Sequence, residues 1–475
     1  MSAVKKIAES TSVILLGKIA GKFLGLITTI LLARYLSVEL FGQYSLALEF
    51  IGLLLFLNDF GVSLVLPREL TQKEKQSEEL IGNSLGLKLF LGIFSVIASI
   101  FIANLAGYQT DTLLILYIFS LTLFTGSVSS VFSSIFQAKL KMVYVVLVEF
   151  VQRLIFLALV FYAISINAPL ALIIVFSVFS TVVSVILNYY FARGVTKISI
   201  KLDFQKWVQI IKIGAPLGLS LLFLAIYNRI DVLMLSLMVN LDAVGRYSAA
   251  YRLTWALAII PDALAFTLFP IMSGFYKKSE EALKKTHALA FRYLTIIFVP
   301  IAFGTTILSE RILFHIYGAD YLNEGIVLTL IALMWGALLI FLNLISSNML
   351  NSIHRQNYVV GAILAGVLVN VTANLLLIPR YSFFGAAIAT LFTEIVTFIL
   401  FYVLVKKFLY TISLKEFIKP AMASLTMVLV LISVQWLSLF ILIPLGALVY
   451  FAAFFLLKGF TEEDKAILKK VQQKN

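Results

Sequence analysis

Long apolar runs separated by short polar connections dominate the chain. Fourteen stand out, at about 11–33, 43–66, 81–104, 112–136, 143–163, 169–192, 214–238, 247–271, 290–309, 325–350, 358–379, 382–405, 419–436 and 438–457. A membrane-spanning helix needs about 20 apolar residues, whereas barrel strands show alternating polarity over about ten. The runs are continuous and of the longer kind, so the pattern predicts an all-α polytopic membrane protein with 14 transmembrane helices. The first run is too long for the apolar stretch of a signal peptide and lacks a small-residue cleavage site, so it reads as a retained span.

Composition sharpens this picture. Of 475 residues, 61% are hydrophobic and 13% charged, against roughly 25% charged in an ordinary soluble domain. The mean hydropathy of +1.03 excludes a water-soluble fold. The connections leave no room for a separate soluble catalytic domain. There is no Cys, and His287, His315 and His354 each lie near a span end, a poor metal set.

The formal net charge is +13. The cations form no aromatic-interleaved stripe of the kind that holds nucleic acid. With the N-terminus taken as cytoplasmic, 27 Lys and Arg fall on that side and four on the other (Arg34, Arg246, Arg311 and Arg380), the remaining six of 37 lying inside apolar segments. The positive-inside rule then predicts both termini cytoplasmic, in agreement with an even number of spans; the expected location is the cell (inner) membrane, as a multi-pass protein.

The two halves repeat. Residues 36–67 aligned on 239–270 at an offset of 203 pair Gly42 with Gly245, Tyr44 with Tyr247, Ser45 with Ser248, Ala47 with Ala250, Leu54 with Leu257, Asp59 with Asp262 and Pro67 with Pro270, seven identities in 32 positions. A unit of six helices enters the membrane twice in the same sense, which predicts two parallel six-helix lobes facing a central cavity. The expected organisation is an N-lobe over 1–193, an amphipathic cytoplasmic linker over 194–213, a C-lobe over 214–408, and over 409–475 two extra helices with a basic tail.

Twelve ionisable residues sit within spans: Lys18, Lys22, Lys88, Arg153, Arg229 and Arg252 against Glu49, Asp59, Glu149, Asp231, Asp262 and Glu394. A lipid-facing charge at the bilayer centre costs about 2.5 to 3.5 kcal/mol on insertion scales, so a polar interior or mutual pairing is required. Lys18 and Lys22 share one face of the first span beside a face formed by Gly17, Gly21 and Gly25 that permits close packing. They either reach toward the headgroups or serve a polar interior. Arg229 and Arg252 carry planar forks suited to phosphate oxygens. Their alternative is internal pairing, Arg252 with Glu49, its repeat counterpart, and Arg229 with Asp231 or another acid. Glu149 and Arg153 are spaced for an intrahelical salt bridge. Asp59 and Asp262 read as a structural or hinge device in preference to a proton site, and Lys88 and Glu394 have no partner assignable from sequence. Glu49, Asp59, Lys88, Glu149, Arg153, Asp231, Asp262 and Glu394 are together the candidates for ion coupling or charge pairing.

Metal-spaced His and Glu, a phosphate-binding Gly-rich loop and a nucleophile elbow are all absent. The sequence therefore suggests no enzyme and no built-in ATP hydrolysis. The run Ala33-Arg34-Tyr35-Leu36 through Phe41-Gly42-Gln43-Tyr44-Ser45, its echo Val244-Gly245-Arg246-Tyr247-Ser248-Ala249-Ala250-Tyr251-Arg252-Leu253, and Arg229-Ile230-Asp231 resemble the polysaccharide-transporter (Wzx-type O-antigen flippase) branch of the multidrug/oligosaccharidyl-lipid/polysaccharide exporter superfamily.

That resemblance implies a flippase that carries an isoprenoid-diphosphate-linked oligosaccharide from the cytoplasmic to the outer leaflet by alternating access of two lobes. It implies a cationic cavity, matched here by Lys18, Lys22, Arg229 and Arg252 as diphosphate-binding residues, with no cofactor beyond a coupling proton or sodium ion. Its partners would be the lipid-linked oligosaccharide, the bilayer, and the polymerase and glycosyltransferases of the same pathway. Segment 2 departs, carrying Glu49 where related lipid II flippases have an arginine. Two other readings remain at this point. One is a cation-coupled multidrug antiporter using Asp59, Asp231 and Asp262. The other is a membrane glycosyltransferase or polymerase using the short acidic loop 310–324, with Glu310, Asp320 and Glu324.

Overall fold

The computed structural model describes residues 3–72, 76–461 and 464. Among these, α-helix accounts for nearly everything and no strand occurs. The helices are α1 (Ala3–Tyr35), α2 (Val38–Asp59), α3 (Val62–Gln72), α4 (Ser77–Leu105), α5 (Thr110–Ala138), α6 (Met142–Ser165), α7 (Leu170–Arg193), α8 (Phe204–Met238), α9 (Leu241–Ala256), α10 (Ile259–Phe275), α11 (Glu280–Tyr317), α12 (Glu324–Ser352), α13 (Gln356–Phe408), α14 (Ile418–Ser433) and α15 (Leu439–Leu456). Several begin on a short polar residue that satisfies an orphan backbone N–H. Ser37 Oγ accepts from Leu40 N at 3.3 Å, Ser279 Oγ from Ala282 N at 3.2 Å and Asn323 Oδ1 from Ile326 N at 2.9 Å.

Twelve helical spans among the described residues are long and apolar enough to cross a membrane, thirteen when the broken pair α9–α10 is counted as one more. The protein is a multi-pass membrane protein. The expected count of fourteen differs because α13 runs as one element over two expected spans. Its helical geometry nevertheless breaks at Ser382, with φ 54° and ψ −137°.

The chain forms two compact units. The first runs up to Arg252 and includes Asn374–Ser382; the second comprises Leu253–Ala373 and the chain from Phe383 onward. In the first, α1 packs on α6, α4 on α5, α5 on α7 and α2 on α8. Its core includes Leu66, Leu85, Phe132, Phe136 and Trp207. In the second, α11 packs on α12, α14 and α15, around Phe291, Phe298, Phe341 and Leu342. Tyr450 of α15 donates its hydroxyl to the Ile296 carbonyl of α11 at 2.8 Å.

The later part of the stretch expected as a linker, from Phe204, is helical and continuous with α8. Asp203 accepts from Gln205 N and Lys206 N and starts α8, which continues through Pro216 to Met238. Lys201 N donates to the Gly82 carbonyl at 3.0 Å. Trp207 and Ile210 are buried in the core of the first unit, whereas Leu202, Phe204 and Val208 are exposed.

The repeat has a structural origin. A Cβ on Gly42 would strike the carbonyl oxygen of Leu241, and one on Gly245 would strike that of Val38. The two repeat-matched glycines thus let α2 and the start of α9 cross with their backbones touching. Tyr44, Ser45, Ala47, Tyr247, Ser248 and Ala250 around this crossing are all buried. The glycine face of α1 is also used: Gly17 meets Val146, and Gly21 and Gly25 meet Arg153, all on α6.

Candidate functional site

The first unit holds all four expected diphosphate-binding cations. Two belong to the surroundings of α2. Phe41, Ser45, Glu49 and Gly52 share one face of that helix by their spacing. Arg229 of α8 lies over Gly52, where a Cβ would collide with its guanidinium, and its Nη1 donates to Glu49 Oε2. Pairing of Arg229 with an acid is one of the two readings open from the sequence, but its partner is Glu49 of α2, 180 residues away.

Asp231, on the same helix, is engaged elsewhere. Tyr247 donates its hydroxyl to Asp231 Oδ2 at 2.6 Å, and Asn374 Nδ2 donates to Oδ1 at 2.6 Å. Asp231 is buried, with 7% of its surface exposed.

Arg252 lies with its guanidinium carbon 6.0 Å from the ring centre of Phe41. Its Nε and Nη2 are both buried, with no hydrogen-bond partner among the described residues. A buried donor left unmade costs about 1 to 3 kcal/mol, more for a charged group. This arginine is therefore a standing demand for an acceptor. The sequence alternative, a bond to Glu49, is not what the structure contains, because Glu49 holds Arg229.

On α1, Lys18 is exposed and Lys22 half-buried. Arg153 of α6 does not pair with Glu149. Its Nη1 donates to the Gly21 carbonyl at 2.8 Å, made reachable by the missing side chain of that glycine, and Glu149 is exposed. The intrahelical bridge suggested by spacing loses to an interhelical contact that supports α1.

Lys88 and Asp59, unconnected in the sequence reading, form a buried ion pair. Lys88 Nζ donates to the Asp59 carboxylate and to the Asn58 carbonyl at 3.0 Å. Ser63 Oγ donates to Asp59 Oδ2 at 2.8 Å, and Ser127 Oγ to the Lys88 carbonyl at 2.7 Å. The cluster seals the break between α2 and α3. Asp262, its repeat counterpart, is exposed on α10. In the second unit Glu394 is buried and accepts from Asn343 Nδ2 at 3.0 Å.

The model of a family described as polysaccharide biosynthesis protein matches residues 7–275. The chain belongs to that family. A second family model, MatE, matches residues 216–376. Among curated proteins, the probable low-salt glycan biosynthesis flippase Agl15 of Haloferax volcanii is 25% identical over 167 residues, 34% of either chain. The probable flippase AglR of the same organism is 26% identical over 171 residues, 35% of either. These matches span about a third of each relative's length. Among solved structures, the lipid II flippase MurJ in its inward closed conformation superposes with a TM-score of 0.78 at 18% identity, over 92% of this chain and 97% of that one. An inward-facing multidrug resistance MATE family transporter of the MOP superfamily gives 0.65 at 15% identity, over 82% and 95%. The fold of this polysaccharide biosynthesis family member is that of a membrane transporter.

Sequence reasoning missed the Tyr247–Asp231–Asn374 cluster and the Lys88–Asp59 seal. A signal for the first existed, since Tyr247 is one of the repeat identities. Also missed was Arg292 of α11, whose Nη2 donates to Asp464 Oδ2 and to the Gly459 carbonyl, both at 2.8 Å, and which pairs with Glu416 at 3.2 Å. Burial pushes the Asp464 carboxyl up, but bonds from Thr461 and Tyr293 and the nearby Arg292 outweigh this and hold its pKa below the usual carboxylate range.

Proposed function

We propose that the chain flips an isoprenoid-diphosphate-linked oligosaccharide from the cytoplasmic to the outer leaflet by alternating access, with both termini cytoplasmic. The carrying observation is Arg252, a guanidinium with two buried donors and no acceptor of its own. A diphosphate supplies acceptors in pairs, the geometry that a guanidinium fork matches best. Membership of the polysaccharide biosynthesis family and the glycan flippases among the relatives support this substrate class.

In this reading Arg252 is the first docking point. Arg229 is held in reserve by Glu49 and exchanges that carboxylate for a phosphate when substrate enters. Lys18 and Lys22 complete the cationic set from α1. The glycan occupies water and the isoprenoid tail stays in hydrocarbon. Asp231, buried between Tyr247 and Asn374, is the carboxylate best placed to couple a proton or sodium ion to the cycle, because a change in its charge state or bonding is felt directly by α8, which also carries Arg229. Glycosyltransferases and a polymerase of one pathway would supply and consume the substrate.

The test is export of surface glycan in a strain lacking its own flippase. The double substitution Lys22→Gln and Arg252→Gln is expected to abolish export at unchanged protein level. Normal export by that variant would remove the basic residues from the mechanism. Resistance to organic cations conferred by the wild-type chain, without glycan export, would favour the antiporter reading instead.

A further inference from the structure

The second unit carries a cavity that none of the transport residues touches. Its volume is about 350 Å³, and Tyr276, Lys277, Lys278, Arg355 and Phe408 are among its lining residues. This lies within the range of small-molecule sites. Its place in the fold is specific. Phe275 is the last residue of α10, Glu280 the first of α11, Ser352 the last of α12, Gln356 the first of α13 and Phe408 the last. Five helix ends therefore meet around this cavity.

The cations around it rest on rings. The Arg355 guanidinium lies 4.7 Å from the centre of Phe408 and the Lys277 ammonium 5.6 Å from that of Tyr276. Lys407 lies 5.4 Å from Phe408 and 5.5 Å from Tyr358, and those two rings are themselves 4.8 Å apart. No carboxylate pairs with Lys277, Lys278, Arg355 or Lys407 among the described residues. The one acid in the lining, Glu280, is held by Lys284 at 2.6 Å. Both loops that supply these cations contain a non-glycine residue in the left-handed region, Lys277 at φ 62° and His354 at φ 59°. That conformation is disfavoured for L-residues and persists only where surrounding structure enforces it.

We propose that this cavity binds the headgroup phosphate of one anionic phospholipid. Lys277, Lys278 and Arg355 supply the charge, the rings of Tyr276 and Phe408 hold Lys277 and Arg355 in place without neutralising them, and Phe275, Ile353 and Leu409 give the glycerol and first acyl carbons an apolar wall. Aromatic and basic residues at span ends are the usual interfacial anchors. What distinguishes this cluster is the open-mouthed cavity they share. A bound lipid ties the α10–α11 and α12–α13 connections together.

The full-length protein, purified and delipidated in a neutral detergent, tests the site. Native mass spectrometry counts bound lipid and thermal unfolding follows its effect during titration with phosphatidylglycerol, phosphatidylcholine, glycerol phosphate or inorganic phosphate. Wild type is expected to retain one phosphatidylglycerol per chain and to gain thermal stability from it, with little response to the other three. Lys277→Gln/Lys278→Gln/Arg355→Gln should weaken that binding by about tenfold or more. Lys139→Gln/Lys141→Gln/Arg193→Gln removes the same charge from exposed positions of the first unit and should leave binding unchanged.

Equal losses in the two triple variants would overturn the proposal in favour of general surface attraction. An equal response of wild type to phosphatidylcholine would overturn it as well. Equal protection by inorganic phosphate or glycerol phosphate would show a free-phosphate site in place of a lipid site. These wild-type comparisons hold even if the pocket variant fails to fold.

Discussion

The two copies of the repeat break their second helix in different ways. In the first copy, α2 ends at Asp59 and α3 begins at Val62, with Phe60 at φ 43° and Gly61 at φ 74° between them. Two consecutive left-handed residues are costly, and the break is secured by the buried Lys88–Asp59 pair and by Gly61 lying against the backbones of Gly214 and Gly218. In the second copy, the break falls at Leu257–Ala258, before the repeat-matched Asp262, with no left-handed residue. Asp262 is exposed, and the position 203 residues after Lys88 is Phe291, apolar and buried. The sequence repeat thus carries Asp and Pro in both copies, while the buried lysine that meets the aspartate in the first copy is replaced by Phe291 in the second. The lesson is that the first break is a corner fixed by a buried ion pair and close backbone contact, whereas the second is made without left-handed residues and without that ion pair.

This contrast can be broken experimentally. The largest effect is expected from Lys88→Met, which leaves Asp59 buried without its cation and should cost about 3 to 5 kcal/mol, read as a large drop in thermal unfolding temperature in detergent. Lys88→Met combined with Asp59→Leu should recover much of that loss. If Lys88→Met alone is silent, the corner is not locked by this pair. Next, Gly61→Ala should destabilise by about 2 kcal/mol or more, because a side chain there is both left-handed and in collision. In the second copy, Gly274 of α10 has nothing within 4 Å of its missing Cβ, so Gly274→Ala should instead stabilise by about 0.5 to 1 kcal/mol. The smallest change is expected for Asp262→Asn, about 0.5 kcal/mol from lost helix N-terminal charge. A loss as large as that of Lys88→Met would erase the distinction between the copies.

Much of the fold was readable from particular residues. Continuous apolar runs located the helices because lipid tolerates nothing else. The repeat around Gly42 and Gly245 was readable because a backbone crossing admits only glycine on both sides. Gly17, Gly21 and Gly25 announced a packed face for the same reason. Charge partnerships were not readable. Arg229 finds Glu49 and Lys88 finds Asp59 across helices, and nothing local in the sequence encodes which spans become neighbours. Arg153 shows the converse: the local i, i+4 rule pointed to Glu149, and a carbonyl bared by Gly21 won. The joining of the expected linker to α8 was hidden because its charged and apolar residues alternate unlike those of a span, whereas Asp203 caps a helix that runs on through it. Arg252 was found, but its lack of a partner could only be seen once Glu49 was known to be taken.

The central claim is that Arg252, a half-buried cation whose Nε and Nη2 are buried without acceptors, awaits a diphosphate. Its most direct test is equilibrium binding of a short-chain isoprenoid diphosphate, without glycan, to purified wild type and to Arg252→Gln and Arg252→Lys variants that unfold at the same temperature. Loss of a charge-assisted, two-point contact worth about 1.5 to 3 kcal/mol predicts affinity weaker by about ten- to a hundredfold for Gln, partly restored by Lys. Equal affinity in all three proteins would contradict the account.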